Sequence, residues 1–126
     1  MRDLFLKRIY DPSSEVDGYR ILIDRLWPRG ITKEDAKLTR WVKDIAPSHE
    51  LRKWFGHKPE RFAEFRDKYL MELQSNEQQS RAVEQIITLA TNNRVTLLYA
   101  AKDPIHNHAR VLLEELLRRI NEKIDL

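Results

Sequence analysis

Apolar and polar side chains interleave near the start of the chain, where Leu4, Leu6 and Ile9 alternate with Phe5 and Lys7. This short alternation predicts a strand over 4–9. The turn-rich run DPSSEVDG follows, and then Ile21-Leu22-Ile23 form a continuous apolar run within 19–24. Such a run is typical of a strand covered on both faces. The stretch 95–100, Val-Thr-Leu-Leu-Tyr-Ala, has the same character, while everything between 32 and 92 reads as helix or loop. Ser48 after Pro47 predicts the cap of a short helix through Phe55, with Glu50 in its first turn and Gly56 at its stop. Pro59 opens another helix, with Phe62, Phe65, Tyr69 and Leu73 on one face. Val83, Ile86, Ile87 and Ala90 mark a third helix, ended by Asn92-Asn93. Ala109, Leu112, Leu113, Leu116, Leu117 and Ile120 mark the last, with a stripe that faces a core.

A helical region between the second and third strands, and a helix after the third, is the βαβα order of a parallel sheet covered by helices. The expected fold is a small three-layer α/β domain with a short, mostly parallel sheet, formed as one domain over 1–126. The link from Ile9 to Tyr19 is too short for an ordinary helical crossover, so an antiparallel hairpin remains open for the first pair.

Composition narrows the classes. A chain of 126 residues suits one domain that buries roughly two-thirds of its unfolded surface and needs no staple to fold. The absence of Cys removes thiolate nucleophiles, disulfide frameworks and Cys-based metal sites, and is compatible with a reducing cytoplasm. The longest apolar run, 95–101, is far short of a bilayer span, so no membrane partner is expected. The formal charge is +3, and its surplus belongs to the first half, with 10 basic against 5 acidic residues within 25–61. That excess opens a nucleic-acid reading.

Chemistry is expected at the carboxyl ends of the strands, where loops and helix N-termini converge. The second strand runs into Asp24-Arg25-Leu26-Trp27-Pro28-Arg29-Gly30. The third runs into Lys102-Asp103-Pro104-Ile105-His106-Asn107-His108 and then the last helix. If these strands are neighbours, the two segments meet. Arg25 and Arg29 can form a fork for phosphate or carboxylate, or pair with Asp24. His106 and His108 can act as acid and base, since imidazole titrates near neutrality. As metal ligands they would need a non-helical geometry and a third partner, and no metal or cofactor is expected. Asp103 and Asn107 read equally as helix caps. The segment 47–58 gathers Ser48, Glu50, Arg52, Trp54 and His57 as a lid or supporting shell, or alternatively as a helical corner with its aromatics in the core. No Gly-rich phosphate loop or nucleophile elbow is found.

Four segments together, DRLWPRG at 24–30, APS at 46–48, ELRKWFGH at 50–57, and TLLYAA at 96–101 continuing through His106-Asn107-His108, resemble the YeaO-like branch of a bacterial and archaeal family of domains of unknown function. The resemblance covers nearly the whole chain. It implies a single α/β domain whose first link is an abbreviated crossover, which tilts the sheet toward parallel. The wider family is similar in an Asp after the second strand and in a Cys-His-Arg tripeptide opening the last helix; here Asp24 and Asn107-His108-Ala109 stand there. That departure argues against thiol or metal chemistry and leaves Asp24 and His108 as the leading candidates.

The expected function is therefore binding of a small anionic ligand, a nucleotide or other phosphate compound, at the strand ends. Arg25, Arg29, Lys102 and Asn107 would hold the anion. Asp24 would orient His108, and His108 or His106 would move a proton, with Trp27 and Asp103 in the supporting shell. Two other classes stand beside it. One is a nucleic-acid module using Arg52, Lys53, Lys58 and Arg61 beside stackable rings. The other is a protein-interaction domain anchored by Trp41, Trp54 and Tyr69.

Overall fold

The computed structural model describes residues 3–124. The strands are β1 (Leu4–Arg8), β2 (Tyr19–Leu22), β3 (Arg40–Trp41) and β4 (Val95–Tyr99). The helices are α1 (Lys33–Ala36), α2 (His49–Phe55), α3 (Phe62–Ser75), α4 (Glu77–Asn92) and α5 (His108–Ile124). The four strands form one sheet in the order β1-β4-β2-β3, and every pairing is parallel. Val95 is opposite Leu4 on one side and Tyr19 on the other.

The continuous apolar run of β4 follows from this central place, because all five of its residues are buried. The hairpin alternative for the first two strands is corrected here: β4 lies between them, and both run parallel to it. The link must cross one intervening strand and return along the length of β1, about 20 Å in all, which a mostly extended segment with a single 3₁₀ turn over Glu15–Asp17 spans where a full helix would not fit. The region 32–92 also holds two elements that were not expected, the single-turn α1 and the two-residue β3. Neither is long enough to show a period.

The sheet faces are unequal. Ile21, Ile23, Val95, Leu97 and Tyr99 enter the main core with Leu51 and Phe55 of α2, Phe65, Tyr69 and Leu73 of α3, Val83 and Ile86 of α4, and Leu112 and Leu116 of α5. Full burial of such aliphatic side chains contributes about 1.5–3 kcal/mol each. Ile9, Leu22 and Leu98 face the other way, under Ala36, Trp27, Ile31, Leu38 and Trp41. The four longer helices thus cover one face, while α1 and its flanking loops form a thin third layer. No helix among the described residues is long and apolar enough to cross a membrane.

The predicted cap and stop of α2 form as expected: Ser48 Oγ accepts from Leu51 N, and Gly56 takes a left-handed conformation at φ 53°. Pro59 opens a 3₁₀ turn that leads into α3 at Phe62. The helix α2 lies at the carboxyl edge of the sheet, where Arg52 and Phe55 share a cavity with Asp24, just past β2, and Ala100, just past β4.

Candidate functional site

The parallel pairing of β2 and β4 brings their carboxyl ends side by side, and a cavity of about 570 Å³ opens there. Asp24 lies just past β2. Its Oδ2 accepts from Ala100 N at 3.1 Å, just past β4, so the carboxylate bridges the two strand ends. Oδ1 stands 3.0 Å from Nε2 of His108, the first residue of α5. The same Nε2 is 3.2 Å from the Ile23 carbonyl, toward which its N–H is directed. Oδ1 is consequently buried in close electrostatic contact with the ring but without an aligned hydrogen bond. Both neighbours of Nε2 are acceptors, so neutral His108 carries its proton on Nε2 and keeps the lone pair on Nδ1.

One wall of the cavity is formed by Ala46 and Pro47, in the loop 45–48, which side chains from three directions hold in place. Arg25 donates through Nε to the Pro47 carbonyl at 3.3 Å and through a terminal nitrogen to the Ala46 carbonyl at 3.1 Å. Gln79 donates to the same Ala46 carbonyl at 3.0 Å. Tyr69 donates to Ile45 O at 2.6 Å; burial pushes its phenol well above the ordinary value, and the carboxylates of Glu72 and Asp24 add to this, so it stays a donor. Glu72 accepts from Ser48 N at 2.9 Å and from Ser48 Oγ at 2.6 Å. These bonds tie the carbonyls of Ile45, Ala46 and Pro47 and the N–H of Ser48 to side chains from outside the loop.

From this wall α2 carries Arg52 to the cavity. Its terminal nitrogen lies 3.3 Å from His49 Nδ1, while its Nε is buried with no partner among the described residues. Phe55 and Phe65 stack at 4.3 Å and 21° and line the apolar side. Lys102 and His57 also line the cavity, both exposed. Asp103 reaches it as well, but its carboxylate is taken up in its own turn by Ile105 N at 2.9 Å, His106 N at 3.0 Å and the His106 ring at 2.8 Å. These bonds hold its pKa at about 2, the His106 backbone N–H foremost.

Several candidates take other roles. Asn107 is buried at the cavity edge, but its side chain caps α5: Oδ1 accepts from Arg110 N at 3.0 Å and Nδ2 donates to Asp103 O at 2.8 Å. Arg25, expected on the anion, is the strut described above. Arg29 is exposed outside the cavity, its carbonyl accepting from Tyr10 Oη at 2.8 Å. Trp27 belongs to the opposite face of the sheet, with its ring edge-on to Trp41 at 5.4 Å and Nε1 bonded to Ile31 O. His106 is held by Asp103 and packs edge-on against Phe62 at 5.3 Å, and does not line the cavity. Ser48 is a helix cap and Glu50 an exposed first-turn residue, neither lining it. Trp54 lies outside it, under Arg61 and Lys68. No group of three or more His, Asp or Glu among the described residues is placed to hold a metal.

The sequence reading missed Glu72 and Gln79. A signal for both exists: Glu72 is three residues from Tyr69, and Gln79 stands in phase with Val83, Ile86 and Ala90. A polar residue inside a core-facing stripe asks for a buried partner.

Fold and site together describe a small parallel α/β domain with a carboxylate–imidazole pair and a guanidinium at one strand-end cavity. The chain belongs to the family described as the inactive DUF488-N3 subclade, which matches residues 3–125. It is 50% identical over 110 residues to the uncharacterized protein YeaO of Escherichia coli (strain K12), covering 87% of this chain and 93% of that protein. It is 41% identical over 109 residues to the uncharacterized protein Rv3073c of Mycobacterium tuberculosis (strain ATCC 25618 / H37Rv), covering 86% and 89%. No solved structure matches.

Proposed function

We propose that the protein binds a small anionic organic ligand, a nucleotide or other phosphate-bearing compound, in the cavity at the ends of β2 and β4. The observation that carries this reading is Arg52 Nε, a buried donor atom of a partly buried side chain, with no partner among the described residues and on a residue that lines the cavity. Leaving a buried charged donor unbonded is costly, and an acceptor supplied by a ligand removes the cost. Lys102 adds a second positive charge. The first turn of α5, a helix of 17 residues, adds the positive end of its dipole. A volume of about 570 Å³ suits a metabolite-sized ligand.

Within this reading Asp24 fixes the His108 tautomer, and Nδ1 accepts or shares a proton of the bound ligand. The description of the family as inactive accords with binding, not turnover, as the role of the cavity. A cysteine-free chain suits the cytoplasm, where such ligands are found.

The two other readings draw less support. Trp54, beside the basic residues of the nucleic-acid reading, already has Arg61 and Lys68 over its ring at 5.3 and 4.4 Å. Tyr69 is fully buried and cannot anchor a partner protein.

Calorimetric titration of wild type and Arg52→Gln against nucleotides, sugar phosphates and inorganic phosphate tests the proposal. At least one phosphate compound is expected to saturate the wild type and to bind the folded variant about tenfold more weakly. Absence of binding by the whole panel, or equal affinity for both proteins, overturns it.

A further inference from the structure

Resting on the binding reading above, we infer that the cavity is matched to a single dianionic group, a phosphomonoester, carried on an apolar or planar body, and that it discriminates against di- and triphosphates. The charges around the cavity, and the donors among them still free to bond, decide this. Arg25, Arg52, Lys102, Asp24 and Asp103 are the formally charged side chains lining the cavity, with the histidines taken as neutral. Arg25 is committed to two backbone carbonyls. Asp103 is committed to its own turn. Asp24 receives Ala100 N and faces His108.

Arg52 and Lys102 are therefore the cations free to bond a ligand; the five formal charges leave the cavity one positive charge in excess, and the first turn of α5 contributes roughly half a charge more. A phosphomonoester carries about −1.5 to −2 at neutral pH, which these groups balance. A longer phosphate chain brings charge that nothing left in the cavity neutralises, and places it in the field of the Asp24 carboxylate. A monoanion leaves part of the positive excess, and one of the two free cations, without an anionic partner.

The remaining lining says what the phosphate is attached to. Leu26, Phe55, Phe65, Pro47 and Ala101 line the same cavity. Such a surface favours an apolar or flat body over a sugar chain or a free inorganic ion.

The test uses the full chain and a small set of related probes. Phenyl phosphate and adenosine 5′-monophosphate are titrated beside phenyl sulfate, inorganic phosphate, ADP and ATP at constant ionic strength. The better monophosphate is expected to bind about tenfold or more tightly than phenyl sulfate, inorganic phosphate or either longer phosphate. In Arg52→Gln, and independently in Lys102→Met at an exposed position, that preference should fall to about twofold. ATP or ADP binding more tightly than both monophosphates overturns charge matching while leaving anion binding intact. Equal binding of phenyl phosphate and phenyl sulfate overturns the dianion assignment, and equal binding of inorganic phosphate overturns the apolar body. Failure of every probe to bind removes this inference together with the reading on which it rests.

Discussion

His108 Nε2 lies 3.0 Å from Asp24 Oδ1 and 3.2 Å from the Ile23 carbonyl, so one ring nitrogen faces two acceptors. The neutral ring is thereby held in the Nε2–H tautomer. Nitrogen-15 shifts of His108 should report that tautomer in the wild type. Asp24→Asn can present an N–H where an acceptor stood, and should move a substantial fraction to Nδ1–H. A wild-type ring already protonated on Nδ1 would contradict the geometry.

Arg25 acts as a strut between the end of β2 and the loop 45–48. Its two hydrogen bonds reach the carbonyls of Ala46 and Pro47. Arg25→Ala should lower stability by about 2 kcal/mol, in the range for hydrogen bonds from a charged donor. Arg25→Lys should recover little, because an ammonium does not reproduce the planar fork. Urea denaturation checks both, and an unchanged midpoint in Arg25→Ala would rule out the strut.

Glu115 makes stability fall in acid. It is buried on α5 and accepts from Gln74 at 3.1 Å, Arg118 at 2.8 Å and Arg119 at 2.7 Å. Burial by itself would raise its pKa, but the bonds from Arg118, Arg119 and Gln74 prevail and hold it at about 2, against an ordinary value of 4.5. Below 4.5 the unfolded chain takes up a proton that the folded one resists, so this contribution is complete above that pH and is lost as pH falls toward 2. Glu115→Gln should flatten the dependence of the urea midpoint on pH within this window. A slope equal to that of the wild type would assign acid sensitivity to other carboxylates.

Of the three glycines, Gly18 is the least able to accept a side chain. Its φ is +65°, and a Cβ there would stand 2.3 Å from the Arg94 carbonyl oxygen. That oxygen accepts from Tyr19 N at 2.8 Å and so sets the start of β2 beside β4. Gly56, at φ +53°, would meet nothing nearer than 3.6 Å. Gly56→Ala should cost about 1 kcal/mol and Gly18→Ala distinctly more. Thermal denaturation orders the two, and equal midpoints would mean that the backbone around Arg94 yields easily.

The elements with a period were legible in the chain. Three strands and the four longer helices follow from runs and stripes that any local reading detects, and the Ser48 cap and Gly56 stop follow from side-chain size and hydrogen-bonding capacity. The two-residue β3 left no trace, because two residues have no repeat. Asp24 and His108 were legible as a strand-end carboxylate and a helix-start imidazole. Arg25 and Arg29 looked alike as a pair, yet one is bonded to the loop 45–48 and the other is exposed outside the cavity.

By itself the sequence determined which segments become strands and helices, which side chains must be buried, and where along the chain polar chemistry collects. Those depend on neighbours within a few positions. Only the tertiary structure decided the order β1-β4-β2-β3, and with it the meeting of Asp24 and His108, the bracing of 45–48 by Arg25, Glu72 and Gln79, and the unpartnered Nε of Arg52. Strand order depends on which apolar faces can be covered at once. Whether a guanidinium is free depends on which carbonyls that packing brings within 3 Å or so of it.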